Sequence, residues 1–475
     1  MFQSIWSRSG LLLAISILPS CASVSSHSTA EFPLSSEPEI PIVSENQKKA
    51  DILQVSHEAE TLTRIPETAP PALEILDSMS GEDTIGLPEL NQLALKNNPA
   101  LSEVRARMEA LRGKCQQAGL KPNPRLGYSG QQLGSNGIAE QNGIYLEQEF
   151  IRGNKLGLDQ AVVRQEINQT KHLFEVQKHR VLTDVKVSYY EVLSAQKRQE
   201  LAEELVRISE QAERIANSLF EDQESSKQDV LQARIDHKRA RNLASEAVIE
   251  YETSWKKLAA AIGLPYMVPK QLEGALEVLV PKLEWEQALK QITQNSPEIA
   301  AANSEVERAR WVVNRACAEA TPDLNVQAVI QDDNATGSSN GALLVSIPLP
   351  VINRNQGGIR QAQSDLVAAR RAVDRVKLGF QHRLAPVYAQ YLAGRKKVTS
   401  YQEGILQDAT ESLELTRKGY EAGEVNFLEF LTTQRTYFQI NLDYIEALQQ
   451  TWTATAKIEG LLLSNSLEQR SVWNP

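Results

Sequence analysis

Hydrophobic positions along this chain change their spacing in a fixed order, and the order occurs twice. From Leu87 to about Gly119 they recur every three or four residues, which predicts a helix closed by Pro122 and Pro124. Leu126 and Tyr128, then Ile144, Leu146 and Phe150, flank the loop Gly134 to Gly143 and read as a hairpin. Leu156 to Leu219 contains no proline and a single glycine, so it reads as one helix of about 96 Å. A return helix, Ser226 to Ile262, is closed by Gly263-Leu264-Pro265. The second passage gives a helix from Leu283 to Ala320 and a strand with Leu324, Val326, Ala328 and Ile330 on one face. After a turn-rich stretch from Asp332 to Gly341, Leu343, Val345, Ile347 and Leu349 alternate as a second strand. Long helices from Gln356 to Lys418 and Asn426 to Leu463 follow, with a kink expected at Pro386.

Local sequence confirms a duplication. Leu95 to Leu101 returns as Ile292 to Ile299, with Pro99 and Pro297 198 positions apart. Asn123-Pro124-Arg125-Leu126 meets Thr321-Pro322-Asp323-Leu324 at the same offset, and Asn154 meets Asn355 at 201. A repeat of about 200 residues is too long for a solenoid unit, so each half holds one copy of helix, β-hairpin and long helical hairpin. The chain therefore divides into 1–21, 22–85, a first repeat 86–265, a second repeat 282–465 and a tail 466–475. The fold class is mainly α with a small β-barrel contribution of four strands per chain. Four strands cannot close a barrel, because small closed barrels need about eight.

The N-terminus alters the compartment. Arg8, the apolar run Leu11 to Leu18 and the small residues ending at Cys21 have the layout of an export signal. Residues 22–85 are rich in Ser, Glu, Thr and Pro and read as a tether, with a short helix at most around Asp51 to Thr63. Cys115 and Cys317 stand apart and read as two buried small residues, with a bridge as the alternative.

Composition narrows the chemistry. The 475 residues carry 50 basic and 60 acidic side chains, a net charge of -10, with no basic stripe for nucleic acid. Mean hydropathy is -0.35 and no window after the signal is apolar enough for a spanning helix, which leaves room for a barrel. His172 and His179 are seven apart, whereas i, i+4 is the spacing that brings two ligands together, so no metal site is expected. Trp255, Trp285, Trp311 and Trp452 read as packing aromatics. No nucleophile elbow, phosphate loop or zinc motif is present, so neither an enzyme nor a cofactor is expected.

The duplicated order, the export signal ending in Leu18-Pro19-Ser20-Cys21 and the turn Arg417-Lys418-Gly419-Tyr420-Glu421-Ala422-Gly423-Glu424-Val425-Asn426-Phe427-Leu428 together resemble the TolC-type outer-membrane efflux factor family. The resemblance covers Leu87 to about Leu463. It implies a homotrimeric α/β-barrel tube, twelve strands in the outer membrane continued by helices through the periplasm. It also implies a lipid anchor at Cys21, with Ala22 favouring the outer membrane, and partnership with a periplasmic adaptor protein and an inner-membrane pump. The chain would be a passive exit duct for drugs or heavy-metal ions, and the competing reading is a periplasmic coiled-coil scaffold without a channel.

The same resemblance places the helix-turn-helix motifs at the periplasmic tip. Adaptor docking is expected at Phe220, Ser226, Asp229, Gly419, Tyr420, Gly423, Glu424, Val425, Phe427 and Leu428, although the apolar members could equally staple the two helices. Gln223 stands where glycine is expected, so a looser first turn is predicted. Glu221, Asp222, Glu224 and Glu421 would ring the entrance with negative charge in three copies, or simply be solvated turn residues.

Overall fold

In the computed structural model, residues 84–133, 139–278 and 280–467 are described. The export signal, Cys21, nearly all of the leader and residues 468–475 lie outside them. Thr84–Ile85 (β1), the end of the stretch read as leader, pairs in parallel with Gln271–Leu272 (β4) in the connector between the repeats.

Each repeat opens with two helices where one was expected: Leu87–Asn97 (α1) and Pro99–Ala118 (α2), then Trp285–Asn295 (α5) and Pro297–Ala318 (α6). Proline disfavours helical backbone in the residue before it, and Asn98 and Ser296 take ψ of 121° and 118°. Both then cap the next helix. Asn98 Oδ1 accepts from the Ala100 N–H at 2.9 Å, and Ser296 Oγ from the Glu298 N–H at 3.2 Å. Asn98 also donates through Nδ2 to the Ala261 carbonyl at 2.7 Å, tying this junction to the end of the first long hairpin. Gly263 permits that approach: it has φ 89°, and a Cβ there would stand 2.7 Å from the Asn97 carbonyl oxygen.

The first hairpin is Arg125–Leu133 (β2) with Ala139–Phe150 (β3), and the second Leu324–Asp333 (β5) with Ser338–Ser346 (β6). The second turn is shorter than its composition suggested. Asp333 Oδ1 accepts from the Ala335 N–H and the left-handed Gly337 closes the reversal, so Asp332, Ser339 and Asn340 are paired strand residues. Ile347 and Leu349 fall beyond the end of β6. The four strands form one antiparallel sheet in the order β2-β3-β5-β6.

Lys155–Glu221 (α3) is an unbroken helix of 67 residues, about 100 Å, and Lys227–Ile262 (α4) returns alongside it. In the second repeat Gln356–Ser400 (α7) remains α-helical through Pro386. The interruption comes later, as a π-helical turn at Tyr401–Ile405 where Gly404 leaves helical dihedrals, and Leu406–Glu421 (α8) continues to the tip. Phe427–Glu459 (α9) returns and ends before Leu461 and Leu462, which have positive φ.

A central core joins both repeats. Ile85, Leu90, Leu101, Val181, Val185, Trp255, Leu258 and Ile262 pack with Val398, Ala447 and Leu448. Trp255 is buried and its Nε1–H donates to the Met267 carbonyl at 3.0 Å. Trp452 stacks on Tyr190 at 5.1 Å and donates to the Leu276 carbonyl, and Trp285 meets Tyr388 edge-on.

Candidate functional site: a two-faced sheet and a double tip

Register gives the sheet two chemically different faces. Opposite pairs Leu126 and Leu146, Tyr128 and Ile144, Ile144 and Ile330, Phe150 and Leu324, Ala328 and Leu343, and Val326 and Val345 put one apolar surface across both hairpins. On the other face Gln141 meets Gln331, and Glu147 accepts from Asn325 Nδ2 at 2.6 Å. Leu126, Tyr128, Ile330 and Leu343 are each about two-thirds or more exposed in the single chain. Both outer edges, β2 and β6, lack a strand partner among the described residues. An apolar, twisted sheet with open edges suits a lipid environment only when a further strand takes those edges. Among the described residues no helix is long and apolar enough to cross a membrane.

At the far end of the long helices the two turns come together. Ala212 and Ala216 of α3, Val230 and Ala233 of α4, Leu413 and Tyr420 of α8, and Phe427, Phe430 and Leu431 of α9 form one apolar cluster. Tyr420 stacks on Phe430 at 5.2 Å, and Phe427 lies 5.8 Å from Tyr420. Tyr420 and Phe427 are therefore buried inside the tip, whereas Leu428 is 71% exposed and Val425 half-buried. Phe220, the counterpart of Tyr420, stays outside with Lys227 Nζ 5.2 Å above its ring.

Both turns are the same Schellman motif. In the first, the Glu224 N–H donates to the Leu219 carbonyl at 2.8 Å and the Gln223 N–H to the Phe220 carbonyl at 3.1 Å. In the second, the Glu424 N–H donates to the Gly419 carbonyl at 2.9 Å and the Gly423 N–H to the Tyr420 carbonyl at 3.1 Å. Gln223 takes φ 65° and Gly423 φ 74°. The expected loosening at Gln223 does not occur, because the two backbone bonds and the Ser226 cap hold the residue left-handed. Ser226 Oγ accepts from the Asp229 N–H at 3.3 Å, and Asp229 Oδ2 accepts from the Ser226 N–H at 3.2 Å. Asn426 does the same work for α9, accepting from the Glu429 N–H at 2.9 Å. Gly419 is helical, so its use is steric: a Cβ there would be 2.6 Å from Val425 Cγ2.

Glu221, Asp222, Glu224, Glu421 and Glu424 are all exposed around these turns, with Glu421 bonded to Gln211 Nε2 at 2.9 Å. Behind them Asp229 and burial push the Tyr420 hydroxyl up to about 12, burial being the larger cause. The sequence reading missed Asp236, whose carboxyl is raised by burial against the opposing pull of Arg435, 3.7 Å away. It also missed Gln434, fully buried with neither amide atom hydrogen-bonded. Their only sequence signal was a polar residue interrupting an apolar helical stripe.

Cys115 and Cys317 are free thiols rather than a bridge, and against the expectation of burial Cys115 is half-buried and Cys317 exposed. Burial lowers the affinity of His179 for its proton, with Glu175 opposing. Among the described residues no cluster of His, Cys, Asp and Glu is arranged to hold a metal ion.

The outer membrane efflux protein family matches residues 90–264 and 288–462, one match per repeat. The chain belongs to this family. It is 26% identical over 378 residues to the cobalt-zinc-cadmium resistance protein CzcC of Cupriavidus metallidurans, covering 78% of this chain and 88% of that one. Its fold superposes on the channel CusC with a TM-score of 0.66 at 18% identity, covering 80% of this chain and 92% of CusC. The outer membrane protein VceC of Vibrio cholerae gives 0.63 at 16% identity, covering 79% and 95%. The protein is thus an outer-membrane efflux channel subunit that extends into the periplasm. The scaffold alternative is not favoured.

Proposed function

We propose that three copies assemble into a twelve-stranded barrel continued by a helical tube, and that this duct passively releases substrate delivered by an adaptor and an inner-membrane pump. The apolar sheet face with two open edges carries this reading, since four strands cannot close. The exposed turn residues Phe220, Glu424 and Leu428 would meet the adaptor, while Tyr420 and Phe427 support them from within. Cys21 would carry the lipid anchor.

Divalent metal cations are the substrate class favoured here. The exposed carboxylates of Glu221, Asp222, Glu224, Glu421 and Glu424 would gather cations at the entrance in three copies, and the likeness to CzcC supports the same class.

The experiment is complementation of a strain lacking the protein. Leu428→Glu should abolish resistance while trimers persist on native gels; undiminished resistance would remove the docking assignment. Neutralising the five carboxylates to amides should reduce tolerance of cobalt, zinc and cadmium and spare tolerance of uncharged drugs. Equal loss for both would make the carboxylates structural. Incorporation of labelled palmitate in the wild type, lost in Cys21→Ser, checks the anchor.

A further inference from the structure

The polar face of the sheet is laid out in rows that cross all four strands. Ser129, Gly143, Gln331 and Asn340 stand side by side in one row, and on the side towards the helices Arg125, Glu147, Gln327 and Leu344 do the same. Between them runs the row Gly127, Tyr145, Val329 and Ala342. This middle row interrupts the polar face with positions that carry neither a charge nor an amide. Tyr145 is its one large side chain.

Register places Tyr145 directly opposite Gly127, and the tyrosine ring occupies the space above that glycine. A Cβ on Gly127 would stand 2.5 Å from Tyr145 Cζ and Oη and 2.6 Å from Cε1. Glycine weakens the interior of a strand, and an aromatic ring laid across it restores cover to the backbone. Here the glycine also decides where the ring goes. On the other side of Tyr145, Val329 is only 6% exposed, so β5 offers the ring no comparable recess. Gly127 thus lets the phenol lie along the sheet instead of standing away from it.

We propose that this row forms an apolar belt around the bore of the duct, and that Gly127 sets the width of the belt by receiving the Tyr145 ring. The inference rests on the trimeric duct above, in which the polar face of the sheet lines the lumen. It adds a determinant of the size of solute that the barrel passes. Three copies place three such rings around the lumen. With each ring laid over Gly127 the belt stays wide, whereas a side chain at position 127 turns each ring inward and narrows the bore from three sides. The belt also bears no carboxylate, so it offers a departing cation no fixed charge to bind, as suits an exit that must release what it conducts.

The test uses the full chain in the outer membrane of intact cells, with Cys115→Ser and Cys317→Ser to remove the free thiols. Leu344→Cys reports from the helix side of the belt and Asn340→Cys from its outer side, both at exposed positions. A membrane-impermeant thiol reagent is added from outside in a small form and in a bulky, polymer-linked form. In this parent both forms should label both sites. Gly127→Val should slow bulky labelling of the Leu344→Cys site several-fold, leave the Asn340→Cys site and the small form unaffected, and be reversed by Tyr145→Ala in the same chain. Gly127→Ala adds only the Cβ and should act in the same direction, which keeps the test open if valine prevents assembly.

Trimers whose bulky labelling is unchanged, with only thermal stability lowered, would show that Gly127 serves the sheet alone and overturn the belt while leaving the duct intact. A loss of labelling that Tyr145→Ala does not reverse also overturns it. If assembled trimers of the parent fail to label at either site even with the small form, the polar face does not line a bore, and the duct and the belt fall together.

Discussion

Gln223 and Gly423 hold the same left-handed backbone conformation at the two turns of the tip, φ 65° and 74°, though only one of them is glycine. A side chain in this region costs roughly 1–2 kcal/mol, so the first turn is strained where the second is relaxed. Gln223→Gly should raise thermal stability by about 1 kcal/mol, offset in part by the greater freedom glycine gives the unfolded chain. Gly423→Gln should lower it by a similar amount. Protease sensitivity of the tip reports both directions.

Gly419 serves by having no side chain. Gly419→Ala would force its Cβ against Val425 Cγ2, at 2.6 Å, and open the second turn. Val425→Ala in the same chain should relieve the clash and restore resistance to proteolysis between residues 419 and 427.

At the base of the sheet, Lys155 is buried and paired with Asp323 at 2.7 Å. Removing one partner of a buried pair costs about 3–5 kcal/mol when nothing else compensates the remaining charge, and here Glu319, 3.9 Å from Lys155 Nζ, compensates in part. Asp323 is partly exposed, so Asp323→Ala should fall at the lower end, about 3 kcal/mol, and exceed the loss from Lys155→Met. Denaturant unfolding of the two variants gives the comparison, and equal losses would contradict it.

Burial raises the Asp236 carboxyl above the usual carboxylate range, against the pull of Arg435. The folded state therefore holds this proton more tightly than the unfolded chain. Its contribution to stability is present below the unfolded value and is lost as pH rises through the folded one. Asp236→Asn should flatten that part of the stability profile across the acidic range, measured by thermal unfolding at a series of pH values.

The architecture was legible because it is written in spacing. A helix free of proline from Leu156 to Leu219 can only be long, and alternation at Leu324, Val326, Ala328 and Ile330 exposes one apolar face whatever the strand pairs with. The split at Asn98 was legible in principle, since Pro99 restricts the residue before it. The interruption at Tyr401–Ile405 was not, because Gly404 in a helical run has the same appearance as the unbroken Gly379.

For the tip, sequence named the turn residues but not their directions. Tyr420 and Phe220 occupy equivalent positions, yet one is buried and the other exposed, because only Tyr420 finds Phe430 beside it. The chain by itself determined the elements, their duplication and the chemistry of each face, which are local consequences of residue type and period. Tertiary structure alone decided that β3 joins β5 and that both turns share one core. Those outcomes depend on contacts between residues about 200 positions apart, where packing competes with local preference and wins.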